Sequence, residues 1–210
     1  MAKTTKRIIL RNVTASYVNV FAPRPKMNAA GPDDVEYSVQ VLLPKNHSQL
    51  DELKAAITEV ASSAFPKLKL APQGGPVKVP VRDADAEGKA ELEGFLFFNA
   101  RSQYAPGVVD GNKNELKSDA DFYSGCRMNV SVTLYPYDTA GSKGVGVALN
   151  NIQRVAFGKR LDGRKQAQDE FGEVEEDFSE VENPTAEEPA AAAPTPAKGK
   201  KGAAAPSVSW

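Results

Sequence analysis

The stretch FYSGCRMNVSVTLYPYDTAGSKGVGVALNNIQR, residues 122–154, decides how the rest of the chain is read. Val130, Val132 and Leu134 alternate with Asn129, Ser131, Thr133 and Tyr135, the two-residue period of a half-buried strand. Pro136 is expected to end that strand, and Asp138 to Gly146, with three glycines, to form a long hairpin loop. Val145 to Phe157 supplies the second arm, with Asn150, Asn151, Gln153 and Arg154 mixed into it. One face of this hairpin joins a core. The other offers Tyr, Asn and Arg, which suits a flexible, base-bearing polyanion better than a catalytic pocket.

Working outward, residues 6–21 read as a first strand, and 22–34 (APRPKMNAAGPDD), with three prolines, as a loop holding Arg24 and Lys26. Glu36 to Leu43 alternates, with Tyr37, Val39, Val41 and Leu43 inward and Ser38 and Gln40 outward, and Pro44 closes it. Leu50, Leu53, Ile57, Val60, Ala61 and Ala64 fall at helical spacing over residues 46–64. Ser48 followed by Asp51 and Glu52 reads as the cap, and Pro66 as the stop. A short strand (Val77 to Arg82) and an acidic loop (Asp83 to Glu93) precede GFLFFNAR, residues 94–101. There Leu96, Phe98 and Ala100 face the core, while Phe95, Phe97, Asn99 and Arg101 share the opposite face. Two aromatics and a guanidinium on one face are what base stacking with phosphate contact uses.

The pattern gives about seven short strands with one helix between the second and third. The class is mainly β with one inserted helix. A five-stranded OB-fold-like barrel with additional strands and long loops fits that order, and a β-sandwich fits the periodicity as well.

The 210 residues carry a formal net charge of −1, unevenly placed. Residues 169–210 hold ten Asp/Glu against three Lys, whereas the remainder holds 23 Lys/Arg against 17 Asp/Glu. A basic body tethered to an acidic tail is the charge asymmetry of a polyanion-binding domain with an interaction tail. Few aliphatic side chains and much charge cannot repay ordering entropy, so residues 169–210 are expected to be a disordered acidic, Ala/Pro-rich tail, and 1–168 the binding domain. No stretch approaches the roughly 20 apolar residues of a membrane span, and the basic N-terminus lacks a cleavage signal. The single Cys126 excludes an intramolecular disulfide.

Aromatic and basic residues interleave, with Tyr17, Phe21 and Tyr123 among them. The candidate nucleic-acid contacts are Arg24, Lys26, Lys78, Arg82, Phe97, Arg101, Tyr104, Arg127, Tyr135, Tyr137 and Arg154. The competing reading is that many of these aromatics fill a β-core. Asp83, Asp85 and Glu87 space three carboxylates in the manner of a metal site, but a solvated acidic turn is the simpler account. His47 reads as a surface or capping residue and Cys126 as a small buried hydrophobe. No P-loop, CxxC pair or GxSxG is present, so the chain is read as a non-enzyme with no cofactor and no metal. Tail residues Asp169, Glu170, Phe171, Glu175, Glu176, Asp177, Phe178 and the terminal Trp210 form a charged tether with aromatic anchors, suited to docking on a partner.

YSVQVLLPK (37–45), VVDGNKNELKSDADFYSGCRMNVSVTLYPYDTAGSKGVGVALNNIQRVAFG (108–158) and the acidic tail with its terminal aromatic resemble the phage single-stranded DNA-binding proteins, those of T-seven-like and related tailed phages. The resemblance runs over roughly residues 5–180. It implies an OB-fold that coats single strands in DNA replication, recombination and repair within the cytoplasm of the infected bacterial host. It also implies a tail that contacts DNA polymerase or other replisome proteins and competes with DNA, and it leaves a homodimer open. The tail departs from the family's usual ending, with Trp210 where Phe is common. The alternative is a phage scaffold or interaction protein whose basic body binds a protein partner.

Overall fold

The computed structural model describes residues 4–26, 29–71, 75–139 and 141–161. The tail, with its eight expected anchor residues, lies outside them. Nine strands and one α-helix are present among the described residues: β1 (Lys6–Pro25), β2 (Val35–Pro44), α1 (Leu50–Ala64), β3 (Leu70–Ala71), β4 (Val77–Lys78), β5 (Arg82–Asp83), β6 (Phe95–Ser102), β7 (Gly107–Val109), β8 (Arg127–Thr139) and β9 (Ser142–Ala156).

Five of them close a barrel in the order β1–β2–β6–β9–β8 and back to β1. Four of its seams are antiparallel ladders, and a parallel contact, Arg101 opposite Ala148, joins β6 to β9. This is an OB-like barrel with additional short strands, so the sandwich alternative falls. β1 makes closure possible by pairing twice, through Lys6–Thr14 with β8 and through Thr14–Pro25 with β2. It turns that corner with irregularities after Leu10 and after Ser16, where Asn12 and Tyr17 take positive φ of 53° and 45°. An extra residue in one strand bends it and sharpens its twist, as a barrel corner requires.

Inward-facing Leu10, Val13, Val39, Val41, Phe98, Met128, Val130, Val132 and Leu134 fill the interior. Helix α1 packs against this core through Leu53, Ile57 and Val60, each at most 2 % exposed. A 15-residue helix is marginal by itself. Burying those three side chains contributes roughly 5–9 kcal/mol, so packing rather than propensity holds it. The cap differs from expectation: Gln49, not Ser48, is the N-cap. Its side chain accepts from the Arg11 N–H (2.7 Å) and donates to the Ile9 carbonyl (3.0 Å), tying the helix start to β1.

Three other boundaries move. β1 continues to Pro25 through Arg24, which pairs with Glu36, so the loop is shorter than 22–34. β8 passes through Pro136, which is buried and opposite Val145. β1 begins opposite Leu134, so β8 has an open edge at Pro136, where a missing N–H is tolerated. The hairpin accordingly pairs as far as Thr139 and Ser142, and the nine-residue loop collapses to a tight turn. Finally, Ser38 and Gln40 point away from the interior yet are only 3 % and 6 % exposed. Ser38 lies in register between Asn19 and Arg101, and Gln40 between Ser16 and Asn99, to whose amide oxygen it donates (3.4 Å).

Candidate nucleic-acid interface

Tyr135 and Tyr137 project from the outer face of β8, opposite Gly146 and Gly144. A Cβ on Gly146 would lie 2.4 Å from the Tyr135 ring, and one on Gly144 would lie 2.7 Å from the Tyr137 hydroxyl. The glycines therefore let both rings lie across the neighbouring strand, a cross-strand aromatic–glycine arrangement. Tyr135 keeps 40 % of its surface exposed. Beside this pair the outer face is polar: Asn129 donates to Gln153 (2.9 Å), and Asn150 donates to Thr133 (3.0 Å). Lys78 sits in register with Gly144, which places its exposed side chain beside Tyr137.

The parallel contact of Arg101 with Ala148 and the antiparallel pairing of Ala148 with Thr133 carry this face across to β6. Arg101 is therefore two strands across and two residues along from Tyr135, about 12 Å at ordinary strand dimensions. Its guanidinium lies 3.4 Å from the carboxylate of the buried Glu36, whose partner on β1 is Arg24. Lys26 ion-pairs with Asp34 across the loop that follows. Lys26, followed by the Ala30 backbone N–H, holds the Asp34 carboxyl below its ordinary value. Tyr104, 81 % exposed, stands just beyond β6. Strand register thus links Arg24, Arg101, Tyr135, Tyr137 and Lys78 across neighbouring strands from the end of the β1–β2 ribbon to the tip of the β8–β9 hairpin, with Lys26 just past the end of β1 and Tyr104 just past the end of β6. Exposed rings beside guanidinium and ammonium groups can stack bases and neutralise phosphates.

The remaining candidates are placed elsewhere. Phe97 is 0 % exposed, which corrects the expectation of a free stacking ring. The segment from Arg82 to Leu92 folds over it, forming a small second core with Leu42 and Ala84. Arg82 and Lys89 lie 4.5 and 3.9 Å from its ring centre, and both pair with Glu87. Arg127 bonds Asn12 (3.1 Å) and Thr14 (3.2 Å), bracing the first corner of β1. Arg154 donates to the Asp121 carbonyl (2.7 Å) and covers the Phe157 ring at 4.1 Å. Arg127 is eight residues along β8 from Tyr135, roughly 26 Å, so it belongs to the other end of the barrel.

The acidic turn is held by Lys45, which donates to Asp83 (2.8 Å) and Asp85 (2.7 Å). Those bonds lower both carboxyls below the ordinary aspartate value. Cys126 is buried, as expected of a small hydrophobe, and desolvation pushes its thiol up. His47 Nε2 lies 2.9 Å from the Arg11 carbonyl. Sequence reasoning singled out Tyr17 as one of the interleaved aromatics without making it a contact, and passed over Lys89. The strand irregularity that exposes Tyr17 has no signature in composition.

The sequence profile of the family described as Enterobacter phage Enc34, ssDNA-binding protein, matches residues 6–181. "Putative protein p50" of Acyrthosiphon pisum secondary endosymbiont phage 1 is 29 % identical over 164 residues, covering 75 % of this chain and 87 % of that protein. Among solved structures, the single-stranded DNA-binding protein from bacteriophage Enc34 in complex with ssDNA superposes with a TM-score of 0.63 at 21 % identity, covering 74 % of this chain and 89 % of that one. The single-stranded DNA-binding protein gp2.5 of bacteriophage T7 gives a TM-score of 0.51 at 18 % identity, covering 83 % and 97 %. At these identities the structural likeness speaks for a shared fold.

Proposed function

The chain belongs to the family of the Enterobacter phage Enc34 ssDNA-binding protein, and from that premise we propose that it binds single-stranded DNA without sequence preference. The observation that carries the reading is the pair of tyrosines laid over Gly144 and Gly146 on the same outer surface as Arg101. Bases stack on the rings, each stack worth about 1–3 kcal/mol, while Arg24, Lys26, Lys78 and Arg101 take phosphates. Lys26 and Arg101 already hold carboxylates, so a polyanion replaces existing partners rather than meeting bare charge. Stacking is indifferent to base identity because every base has a π face.

The role is non-catalytic, in phage DNA replication, recombination and repair in the cytoplasm of the infected host. Among the described residues no helix is long and apolar enough to cross a membrane. Residues 1–168 form the binding domain in this reading. Residues 169–210 are the tail that recruits DNA polymerase or other replisome proteins and competes with DNA for the basic surface.

Fluorescence anisotropy of labelled oligo-dT and of its duplex, at several salt concentrations, tests the binding mode. The expected result is single-strand preference, with log K falling against log salt by about 0.7 per neutralised phosphate. Equal or negligible binding to both transfers the basic surface to a protein partner. Deleting residues 169–210 is expected to tighten DNA binding, and unchanged affinity removes the competing role of the tail.

A further inference from the structure

Where β1 leaves β8 for β2, the chain holds Tyr17 at a φ of 45°. A bulky side chain in that region is an outlier that persists only where its surroundings enforce it. The enforcement is visible. The Asn19 amide donates to the Tyr17 carbonyl (3.0 Å), the Val18 N–H donates to the Ser124 hydroxyl (3.3 Å), and Ser16 is buried beside them. The ring these contacts hold out is 64 % exposed. Conformational free energy is spent here to present an aromatic face that contributes little to the core.

That ring stands between two lobes of one cleft, which share Glu91 and Leu92. The larger lobe, about 660 Å³, is lined by Ser16, Ser124, Lys159 and Arg160. The smaller, about 370 Å³, reaches Gly88 and Lys89. Volumes of this order hold a small organic ligand. Lys89 is already paired with Glu87. Lys159 and Arg160, the latter also 4.0 Å over the Tyr123 ring, stand with Glu91 in the larger lobe and favour an anionic ligand, and the exposed ring favours one with a planar face. Ser16 pairs across the sheet with Gln40, and the side-chain oxygens of Gln40 and Ser38 are buried with no hydrogen-bond partner.

The cleft also lies within a few strands of the surface assigned to DNA. Asn19, two residues beyond Tyr17, pairs with Ser38, and Ser38 pairs with Arg101, so β2 alone separates the Arg101 position from the β1 segment that carries Tyr17. We propose that the Tyr17 cleft is a further nucleotide subsite, in which one base stacks on Tyr17 and its phosphate is met by Lys159 and Arg160. The assignment rests on the single-strand-binding reading and adds to it a second stacking position, separate from the Tyr135–Tyr137 pair.

The test uses the full chain with Tyr17→Gly, which accepts positive φ freely and removes only the ring, and Tyr17→Phe, which keeps the ring. Each is titrated by anisotropy against oligo-dT of increasing length, with melting curves in parallel. Tyr17→Gly is expected to bind the longer oligonucleotides about ten-fold or more weakly, to bind the shortest ones as the parent does, and to melt no lower. Tyr17→Phe is expected to match the parent throughout. Parent-like binding by Tyr17→Gly at every length, alongside weakened binding by Arg101→Ala, overturns the subsite and leaves the DNA reading standing. A parent protein without single-strand preference overturns the DNA reading itself. A loss in Tyr17→Gly that comes with a lowered melting temperature, or that Tyr17→Phe shares, overturns stacking as the role of the ring.

Discussion

The outer faces of β8–β9 and of β2–β6 begin from the same kind of sequence and end differently. Each alternates apolar residues with aromatic and polar ones, and in each the apolar set faces the barrel interior. On the hairpin the other set meets solvent: Tyr135 is 40 % exposed across its glycine. On β2–β6 only the end at Arg101 stays open, while further along the same face Phe97 is at 0 % exposure beneath Arg82 and Lys89 and Gln40 is at 6 %. Alternation reports which side of a sheet a residue takes. Whether that side is open depends on what the rest of the chain lays over it.

The most severe way to break the comparison is to truncate both aromatics. Phe97→Ala should lose about 3–5 kcal/mol of stability by chemical denaturation, the usual cost of emptying a buried aromatic site, whereas Tyr135→Ala should stay within about 1 kcal/mol of the parent. Equal losses would erase the distinction between the faces. The binding readout should reverse the order: Tyr135→Ala is expected to weaken oligo-dT affinity by about 1–3 kcal/mol in an anisotropy titration, with the melting temperature held. Arg101→Ala should weaken binding in the same assay, and Glu36→Gln should strengthen it about two- to five-fold, since it frees a guanidinium and removes a carboxylate facing phosphate.

Gly146→Ala sharpens the comparison further. Its new Cβ meets the far end of the Tyr135 ring, which can swing aside, so affinity should drop by about 0.5–1 kcal/mol with little change in fold. The smallest effect concerns pH. Lys45 lowers the titration of Asp83 and Asp85 in the folded protein, so their contribution is present above about pH 4 and fades as pH falls through the lowered values. Lys45→Met has no such contribution to lose, and its melting temperature should fall less than the parent's between about pH 6 and about pH 3. An identical fall would mean the ion pairs do not stabilise the turn.

Much of the frame was legible because local rules governed it. The period of two in Met128–Leu134 and Val39–Leu43, and the helical spacing of Leu50, Leu53, Ile57 and Val60, all place their apolar faces in the observed core. Misreadings arose where a neighbouring strand set the outcome. Pro136 was expected to stop β8, yet β1 begins opposite Leu134 and leaves that edge open. Ser38 and Gln40 look outward in pattern and are buried by position. Among the site candidates, register links Arg24, Arg101, Tyr135, Tyr137 and Lys78 across neighbouring strands, while Arg127 and Arg154 are occupied elsewhere by Asn12, Thr14 and the Asp121 carbonyl.

From its sequence alone this protein is a mainly β chain with one amphipathic helix, a basic body and an acidic C-terminal segment. Those properties follow from side-chain period and charge, which are written along the chain. Tertiary structure decided which aromatics are free. Phe97 and Tyr135 carry the same local signal, and only the 82–92 segment folded over the first, and the glycines opposite the second, set them apart. It also placed Tyr17 at the turn of β1, because a strand that must pair with two partners has to break its register somewhere. Coverage and corner position are long-range outcomes of closing a barrel.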